Sequence, residues 1–428
     1  MASATPVQPH VGEGRQRPAP GLAELLPLWG AACPEDVKAW PLAPARFNVQ
    51  ASITELTYSF RPNVFLATDE CTGRRVAVKT YIKDRFSSRI AQVLAREINV
   101  HSRLNHPRIL PLYAAFECPA AVYIVMEYAG GHDLLSQMRL LDRRRLQEAS
   151  AVQVVLAPLL EALSALHRSG IIHGDIKPEN VMFLTDGSFK LADFSLSVFA
   201  AEAETRSPSF VGTPPFMAPE ILRGQLAKAA REAGHPLKAS EREALGRRHD
   251  YSSDVWSVGV LAYEILGGHM PYDMVADKRG LQPQSRSDIE HRATLRIPSC
   301  MSDEAADFVK LCMADQPSDR PSAQALLRHP LIVKHVGQEA AEELARAAEG
   351  ADPETAATAG TFPTAATEAK VVDPPESPGM VGMAEVGSAV EGGGRDGVRG
   401  EHGRTGDGAK VPPRVSGAQE LGGWPAPG

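Results

Sequence analysis

Cysteine is scarce in this chain, and where it occurs it is scattered. The 428 residues contain five cysteines, and no two of them form a CxxC pair. That spacing argues against a disulfide framework and against a zinc-binding cysteine cluster, and it is typical of reduced thiols inside a cell. The five are Cys33, Cys71, Cys118, Cys300 and Cys312.

An excess of positive charge, a signal peptide and a long apolar run are also missing. The formal net charge is -7, which argues against a dedicated nucleic-acid-binding protein. The amino-terminal residues lack the charged-then-apolar pattern of a signal peptide, and no apolar run looks long enough to span a bilayer. We therefore expect no nucleic-acid partner, no membrane span, and a cytoplasmic or nuclear location.

Composition divides the chain into three parts. Residues 1–46 are rich in proline, alanine and glycine, which predicts a disordered amino-terminal extension. Within it, the apolar piece at 22–29 could either dock onto the folded domain or bind a partner as a helix. Residues 336–428 predict a disordered carboxy-terminal tail, apart from a charged helical stretch at 338–348. Residues 47–335 carry the patterns of a folded domain.

One stretch of this domain, residues 171–220, carries most of the chemistry. Its motifs are His-Gly-Asp-Ile-Lys-Pro-Glu-Asn at 173–180, Asp-Phe-Ser at 193–195 and Ala-Pro-Glu at 218–220. Two short strands flanking a turn bring Asp175, Asn180 and Asp193 towards one pocket. Two carboxylates and an amide suit a divalent metal and the orientation of a hydroxyl nucleophile. A single aspartate of this kind could equally be an N-cap or turn residue, but the ordered set points to a site.

These motifs, in this order and spacing, resemble the catalytic loop, the metal-binding Asp-Phe-Gly motif and the Ala-Pro-Glu motif of eukaryotic protein kinases. Lys177, two residues after Asp175, is typical of the serine/threonine class, and so is Thr213. The stretch 96–128 looks most like Aurora-type or calcium/calmodulin-dependent kinases. The resemblance covers about 47–335 and implies an α+β, bilobal protein-kinase fold. Its small β-rich amino-terminal lobe would have five strands and one main helix, and its carboxy-terminal lobe would be larger and α-helical.

The resemblance implies a role for each polar residue of the stretch. Asp175 would orient the substrate hydroxyl and accept its proton, with Lys177 and Thr213 beside it. Asn180 and Asp193 would hold Mg²⁺ bound to the phosphates of ATP. The supporting contacts it implies are a buried ion pair between Glu220 and Arg320, a hold on the catalytic-loop backbone by Asp254, and a stack of His173 and Phe194 with Leu112 and His101.

The strand-like segment 75–79 ends in Lys79, where a buried cation is costly without a partner. Glu97 lies further along, on an amphipathic helical pattern over 86–104. Taken alone, Lys79 could be a strand-end lysine whose amine reaches water, and Glu97 a solvated helix residue. The resemblance instead pairs them as the clamp on the α- and β-phosphates. The other nucleotide-binding positions that it implies are Thr57, Ser59, Val64, Ala77, Met126, Glu127, Ala129, Asp133 and Met182.

The implied partners are ATP and proteins with serine or threonine targets. Asp133 and Glu179 match positions at which basophilic kinases hold arginines upstream of the target hydroxyl, each contact contributing roughly 1.5–3 kcal/mol. Solvated loop carboxylates are the alternative interpretation. Residues 224–248 form an insert, predicted to be helical from a capping box at 240–243. The insert would be a solvated decoration or a docking element for a partner.

Three departures from the kinase pattern stand out. The glycine places of the phosphate-covering loop hold Thr57, Ser59 and Pro62. Ser195 stands where the metal motif has a glycine. Gly174 replaces the arginine that clamps a phosphorylated activation loop, which weakens the case for control by phosphorylation there. The candidate phosphorylation sites are Thr205, Ser207 and Ser209.

The departures leave two alternatives to an active protein kinase. One is a pseudokinase, which would act as a scaffold or allosteric partner, and the other is a small-molecule kinase on the same fold. We favour ATP- and Mg²⁺-dependent phosphorylation of serine or threonine in proteins, because a decaying site has no reason to keep costly charged groups in a cleft. The groups kept are Lys79, Glu97, Asp175, Asn180 and Asp193.

Overall fold

The computed structural model describes residues 22–53, 63–203, 213–237, 250–272, 276–277, 280–281 and 295–347. The chain divides into two units, 1–372 and 373–428, and every described residue lies in the first. Within that unit an antiparallel sheet forms the amino-terminal lobe and helices form the carboxy-terminal lobe. The predicted α+β, bilobal kinase fold is therefore confirmed.

The sheet has six strands where the sequence predicted five. They are β1 (Leu28–Trp29), β2 (Phe47–Ser52), β3 (Asn63–Asp69), β4 (Arg75–Ile82), β5 (Leu112–Glu117) and β6 (Ala121–Glu127). Their order is β1-β5-β6-β4-β3-β2, with every neighbouring pair antiparallel. The extra strand, β1, is two residues long, too short to show an alternating pattern, and it forms only by pairing with the edge of β5.

Three helices accompany the sheet. They are α1 (Leu22–Leu25), α2 (Glu35–Lys38) and α3 (Ser88–His101). The longest, α3, begins where the Ser87 side chain accepts a hydrogen bond from the Ile90 amide, which satisfies one of the free N–H groups of the first turn. Its buried face includes Leu94 and Ile98, which pack against the sheet. The helix therefore holds Glu97 in the cleft below β4.

Residues 22–46 are folded, which corrects the prediction of disorder over 1–46. Leu25 and Leu28 are 3% and 9% exposed and belong to the same apolar cluster as Leu94 of α3. The predicted docking of this apolar piece is therefore what the structure shows. Composition was misleading because a proline- and glycine-rich segment becomes ordered when the domain offers it an apolar surface and a free strand edge.

The end of this segment is fixed by a buried ion pair. Arg46 contacts Asp69 at the end of β3, with its Nη2 2.6 Å from Oδ2, and both side chains are almost fully buried. The same guanidinium donates to the backbone carbonyls of Val37 and Trp40. Arg46 thus ties the turn after α2 to the sheet through side-chain and backbone acceptors together.

The carboxy-terminal lobe is built from helices around two central ones. They are α4 (Leu134–Met138), α5 (Glu148–Arg168), α6 (Ala200–Ala203), α7 (Pro219–Glu232), α8 (Tyr251–Gly267), α9 (Asp303–Cys312), α10 (Ala323–Leu326), α11 (Pro330–Val336) and α12 (Gln338–Ala347). The short strands are β7 (Ile171–Ile172), β8 (Val181–Phe183), β9 (Phe189–Leu191), β10 (Val198–Phe199), β11 (Ala276–Asp277) and β12 (Gly280–Leu281). Helices α5 and α8 supply most of the apolar core.

Helix α5 is long and apolar enough to cross a membrane by length and composition alone. The expectation that no apolar run reaches that length is therefore wrong for this helix. Its most apolar window is 67% buried inside the lobe, and its valines and leucines pack in the core. Burial against α8 accounts for its apolar character.

Three boundaries differ from the sequence prediction. Residues 302–336 form three helices instead of two, and α12 shows that the fold continues to 347, past the predicted start of the tail at 336. Ala341 and Ala345 on α12 are fully buried, so this charged helix packs one small-residue face on the lobe. The insert at 224–248 begins inside α7, which continues to Glu232. Its later part, including the capping box at 240–243, lies outside the described residues, as does 348–428.

Candidate active site

The catalytic loop lies between β7 and β8, at the cleft between the lobes. Strands β8 and β9 form a hairpin in which Val181 faces Leu191, and the Ala192 amide donates to the Asn180 carbonyl at 2.9 Å. This register places Asn180, just before β8, beside Asp193, which follows β9. The hairpin predicted from two apolar runs and a turn is present, and it brings the two polar motifs together.

Asp175 is the centre of a network of four hydrogen bonds. Its Oδ1 accepts from the Thr213 hydroxyl at 2.8 Å and from the Thr213 amide at 3.1 Å. Its Oδ2 accepts from Lys177 Nζ at 2.6 Å and from Asn180 Nδ2 at 3.1 Å. Lys177 Nζ also donates to the Thr213 hydroxyl at 2.9 Å. The carboxylate is thus held in one orientation by donors from the catalytic loop and from the segment before α7.

Lys79 links the two lobes through two carboxylates. Its Nζ lies 2.7 Å from Glu97 Oε1 on α3 and 3.2 Å from Asp193 Oδ1. Burial alone would lower the pKa of Lys79, but Asp193 and Glu97 outweigh it and raise that pKa well above its usual value. Burial would raise the pKa of Asp193, and Lys79 instead holds it below the usual range. Lys79 and Asp193 are therefore both charged at neutral pH, as a phosphate-binding cation beside a metal ligand requires.

A third side chain completes this network. The Tyr81 hydroxyl donates to Glu97 Oε2 at 2.7 Å. Tyr81 follows Lys79 by two positions on β4, so alternation along the strand places both side chains on one face. The sequence analysis missed Tyr81, although this spacing could have revealed it.

The residues that would hold a magnesium ion fit that ion. Asn180 donates through Nδ2 to the Asp175 backbone carbonyl at 2.7 Å, which leaves its amide oxygen as a ligand. Asp193 contacts Lys79 through Oδ1, which leaves Oδ2. Mg²⁺ in phosphoryl-transfer sites takes one or two protein oxygens and completes its shell with phosphates and water. Consistently, the described part of the chain contains no cluster of three or more histidine, cysteine or acidic residues suited to an all-protein metal site.

Asp193 adopts a left-handed backbone conformation, with φ of 63°. That region is unfavourable for a residue with a side chain, and such strain persists only where surrounding contacts enforce it. The contacts here are the bond from Lys79 and a hydrogen bond from the Ser195 amide to Asp193 Oδ1 at 3.3 Å. Ser195, which replaces the expected glycine, is therefore compatible with this placement of the aspartate.

The apolar residues among the nucleotide-binding positions that the resemblance implies come together. Ala77, Met126 and Ala129 are buried in one cluster with Ala192, and Val64 and Met182 pack against it. These residues come from β3, β4, β6, the segment after β6, and β8, so both lobes contribute to the cluster. Thr57, Ser59 and Pro62, in the phosphate-covering loop, lie outside the described residues.

Two polar positions of the same region have local partners. Asp133 caps α4, because its two carboxylate oxygens accept from the Ser136 amide at 2.8 Å and the Ser136 hydroxyl at 2.6 Å. Asp133 is partly exposed, and its carboxylate has a local structural role as a helix cap. The Glu127 amide donates to the Pro111 carbonyl at 3.1 Å. An adenine base bound beside residues 127–129 would therefore meet the carbonyl of Glu127 and the backbone of Ala129.

The catalytic loop is held from below by Asp254 of α8, as predicted. Asp254 accepts from the backbone amides of His173 and Gly174 at 2.9 and 2.8 Å. Its Oδ2 also contacts His167 Nε2 at 2.9 Å, a partner that the sequence analysis did not identify. Gly174 has φ of +79°, and a Cβ there would lie 3.2 Å from the Leu196 carbonyl oxygen. Glycine in place of the expected arginine thus suits the backbone of this turn.

The predicted stack of aromatic side chains crosses the cleft. The Phe194 ring lies 4.6 Å from the His101 ring of α3 and 5.1 Å from the His173 ring. Burial lowers the pKa of His101 to about 4, so this imidazole is neutral at physiological pH and packs as an apolar group. Leu112 is buried in the neighbouring cluster of the sheet lobe. A polar residue in this stack is thus accommodated in its uncharged form.

The predicted ion pair between Glu220 and Arg320 is present and bidentate. The two guanidinium nitrogens lie 2.7 and 2.8 Å from the two carboxylate oxygens, and both side chains are buried. The pair joins the start of α7 to the segment before α10. The candidate phosphorylation sites Thr205, Ser207 and Ser209 lie outside the described residues.

The sequence analysis also missed a carboxylate, Glu264, which lies near the catalytic loop. Glu264 is on the mostly apolar helix α8, and its buried Oε2 has no hydrogen-bond partner among the described residues. Burial, together with the charge of Glu179, raises the pKa of Glu264 to about 7. A lone glutamate in an apolar helix could have been noticed from sequence, because buried acids are rare without a function or a partner.

Comparison with known proteins agrees with this geometry. Residues 61–332 match the family model described as the protein kinase domain. The chain is similar to an Aurora kinase of Schizosaccharomyces pombe, with 33% identity over 64% of this chain and 68% of that protein. It is also similar to an Aurora kinase of Encephalitozoon cuniculi, with 30% identity over 64% of this chain and 90% of that protein.

A third relative comes from a different kinase group. It is CBL-interacting protein kinase 4 of Oryza sativa subsp. japonica, with 32% identity over 62% of this chain and 53% of that protein. The matched region spans both lobes and includes Lys79, Glu97, Asp175, Asn180 and Asp193. The chain therefore belongs to the protein kinase domain family, and it is a protein serine/threonine kinase.

Proposed function

We propose that this kinase transfers the γ-phosphoryl group of ATP, with Mg²⁺, to serine or threonine hydroxyls of proteins that carry arginine near the target. The observation that carries the proposal is the bridge from Lys79 to Glu97 and Asp193, at 2.7 and 3.2 Å. The bridge brings the Lys79 cation, which would bind the phosphates, next to the Asp193 carboxylate, which would bind the metal. Both lie beside the apolar cluster that contains Ala77 and Ala192. No part of this bridge depends on the altered phosphate-covering loop.

The chain's own residues divide the work. Lys79, fixed by Glu97, binds the α- and β-phosphates of ATP, and the apolar cluster around Ala77 holds the adenine base. Asp175 orients the attacking hydroxyl and accepts its proton, and four hydrogen bonds fix the orientation of its carboxylate. Lys177 lies where it neutralises charge on the moving phosphoryl group.

Asn180 and Asp193 would hold the metal through an amide oxygen and a carboxylate oxygen. When bound, Mg²⁺ neutralises charge that develops on the phosphate oxygens. The Lys79–Asp193 contact keeps the ligand carboxylate ionised and aimed at the cleft, and the Asp175–Asn180 bond fixes the amide.

The test is a phosphate-transfer assay with radiolabelled ATP, a basic test protein, and Mg²⁺ present or chelated. We expect Asp175→Asn to lower kcat at least about a hundredfold while leaving the Tm close to that of the wild type. The matched control is Asp186→Asn, an exposed turn carboxylate that accepts a hydrogen bond from the Ser188 amide, for which we expect full activity. Full activity of Asp175→Asn, or transfer that persists in excess chelator, would refute the proposal.

The same assay addresses the other two functions. If the wild-type chain gains thermal stability from ATP and Mg²⁺ but transfers no phosphate, it is a pseudokinase. If it phosphorylates small metabolites in preference to proteins, it is a small-molecule kinase. The relatives that match this chain carry the names of kinases, which favours transfer.

The preference for arginine rests on Glu179 and Glu264. Glu179 is exposed in the catalytic loop, and Glu264 is half-buried with one oxygen, Oε2, that has no hydrogen-bond partner among the described residues. Glu179 lies close enough for its charge to add to burial in raising the pKa of Glu264. A guanidinium between them would neutralise both carboxylates and supply donors for the free oxygen. Asp133 is a weaker candidate, because its oxygens already cap α4.

A peptide pair tests this preference. One peptide carries arginines upstream of its serine, and the other carries alanines at the same positions. We expect the arginine peptide to have at least about a tenfold lower KM, and Glu264→Gln to remove most of that difference. Because the pKa of Glu264 is about 7, the KM of the arginine peptide should fall as the pH rises from 6 to 8. Equal KM values for the two peptides would contradict the preference.

Two further expectations of the sequence are also proposals. We propose that the insert at 224–248 docks protein substrates, so deletion of 238–249 should raise the KM of a protein substrate without changing that of a short peptide. We also propose a cytoplasmic or nuclear location, supported by the scattered cysteines and checked by imaging a fluorescent fusion of the full chain. An unchanged KM, or a location outside the cytoplasm and nucleus, would contradict them.

A further inference from the structure

Both oxygens of the Glu97 carboxylate are bound, and by different partners. Lys79 Nζ contacts Oε1 at 2.7 Å, and the Tyr81 hydroxyl donates to Oε2 at 2.7 Å. Glu97 itself is 2% exposed, so water is not available to satisfy either oxygen. A buried carboxylate with one oxygen unsatisfied would be costly, and the hydroxyl removes that cost.

The arrangement around Tyr81 favours a hydrogen-bond donor that stays protonated. Its ring packs against the apolar cluster of the sheet lobe that contains Leu94 and Ile98. The Lys79 amine lies 5.7 Å from the centre of the Tyr81 ring. Burial and the neighbouring Glu97 charge raise the pKa of Tyr81 well above its usual value. The hydroxyl therefore remains a donor throughout the physiological range.

The consequence concerns the placement of Lys79. An ion pair through one oxygen leaves a carboxylate free to rotate about its terminal bond, and a helix such as α3 is free to tilt with it. Tyr81 lies on the same strand as Lys79, so the strand grips the glutamate at two points. The contacts from Lys79 and Tyr81 start two residues apart on β4. Together they fix both the orientation of the Glu97 carboxylate and its distance from the strand.

We propose that Tyr81 is a positioning residue for phosphoryl transfer, which acts by holding the second oxygen of Glu97 and thereby fixes Lys79 at the nucleotide phosphates. This inference rests on the proposed use of ATP. It adds a third member to the clamp, and it assigns to a tyrosine a role that the motif residues do not include.

The experiment compares steady-state kinetics of the full-length wild type and Tyr81→Phe, which removes one oxygen and keeps the ring in the apolar cluster. We expect kcat/KM for ATP to fall about tenfold or more, because a charge-assisted hydrogen bond is lost. The KM of the peptide substrate should not change. The matched control is Tyr123→Phe on β6, whose hydroxyl contacts Cys118 Sγ at 3.8 Å and lies outside the clamp, and its constants should equal those of the wild type.

A double-mutant cycle separates positioning from simple packing. If Tyr81 acts through Glu97, adding Tyr81→Phe to Glu97→Gln should change the residual kcat/KM less than twofold. A second measurement, the rise in Tm caused by ADP and Mg²⁺, should be smaller in Tyr81→Phe than in the wild type even if its basal Tm is lower. The rise in Tm is measured for each protein relative to its own Tm without ligand. A lower basal stability of Tyr81→Phe therefore does not obscure the comparison.

Three results would overturn the proposal. One is a Tyr81→Phe enzyme with wild-type kcat/KM for ATP, and another is a lowered Tm with unchanged kinetic constants per folded molecule. The third is a full additional loss in the Glu97→Gln background. Lys79→Met is measured alongside: if it too keeps wild-type rates, the proposed nucleotide clamp itself is wrong. If Lys79→Met is inactive and Tyr81→Phe is normal, only the role of Tyr81 fails.

Discussion

At the scale of single residues, the site combines charged groups that are paired with polar groups that are kept neutral. Asp193 has a strained backbone and a carboxylate held ionised by Lys79. His101 is fully buried against Phe194, and its Nε2 lies 2.7 Å from the Leu110 carbonyl oxygen. Its neighbours Lys79 and His173 further disfavour a second positive charge, although Asp193 partly opposes them.

His101 makes stability depend on pH. Its folded pKa of about 4 lies below the ordinary value of 6.5, so the folded state binds fewer protons than the unfolded chain. The contribution of His101 is therefore complete above pH 6.5 and is lost as the pH falls towards 4, by an amount of the order of 3 kcal/mol. His101→Gln, which keeps a donor for the carbonyl, should show a smaller fall in Tm over that range.

The control is His235→Gln, an exposed histidine on the turn after α7. Its Tm should follow that of the wild type at every pH. A fall in Tm between pH 6.5 and 4 that is identical in His101→Gln and in the wild type would show that His101 does not titrate in this way.

At the scale of elements, α3 is the part of the sheet lobe on which the site depends. It carries Glu97, which contacts Lys79 and Tyr81 of β4, and it shares an apolar cluster with the segment 22–46. Leu25 of α1 packs against the cluster that contains Leu94 and Ile98 of α3. The amino-terminal segment therefore braces the helix that presents the glutamate to Lys79.

Removing part of that brace should weaken the whole lobe. Leu25 is 3% exposed, so Leu25→Ala should lower the free energy of unfolding by about 2–5 kcal/mol through lost burial and a cavity. Trp40→Ala in the same segment is the control, because Trp40 is 48% exposed, and we expect a much smaller effect. Urea unfolding followed by tyrosine and tryptophan fluorescence measures both. Equal stability of Leu25→Ala and the wild type would mean that α1 does not brace α3.

At the scale of the whole molecule, contacts between segments far apart in sequence position the reacting groups. Lys79 and Asp193 come from different lobes, and Asp175 is fixed by Thr213 from the segment before α7. The Glu220–Arg320 pair joins the end of that segment to the base of the helical lobe. Residues 213–220 are thus joined to the helical lobe by a buried ion pair as well as by apolar packing.

Breaking this pair should be strongly destabilising. Arg320→Met leaves the Glu220 carboxylate buried without its cation, which we expect to cost about 3–5 kcal/mol. Arg223→Met removes the arginine of a nearby ion pair with Asp315, and that arginine is 41% exposed, so a change within about 1 kcal/mol is expected. Thermal unfolding of the two variants compares them directly. Similar losses in both would show that burial does not control the strength of the Glu220–Arg320 pair.

Much of the site could be anticipated without coordinates. The kinase motifs identified Asp175, Asn180 and Asp193, and the ion pairs of Lys79 with Glu97 and of Glu220 with Arg320 are where they were expected. Motifs of this kind persist because metal and phosphate chemistry demands a particular residue at a particular place in the loop. Tyr81 and Glu264 were missed because neither belongs to a kinase motif named in the sequence analysis, and the groups that act on them, Glu97 and Glu179, lie far away in the sequence.

The element boundaries were less predictable at both ends of the domain. Residues 22–46 and α12 have compositions typical of tails, yet each packs on a surface that the rest of the chain creates. The same holds for β1, which exists only as a neighbour of β5. The local sequence pattern identifies the helices and strands that bury a long apolar face and the loops that carry reactive groups. It does so because apolar periodicity and loop motifs depend on residues close together in the sequence. Which short segments become ordered, and which lone polar side chains meet, depends on surfaces that form only when distant parts of the chain pack together.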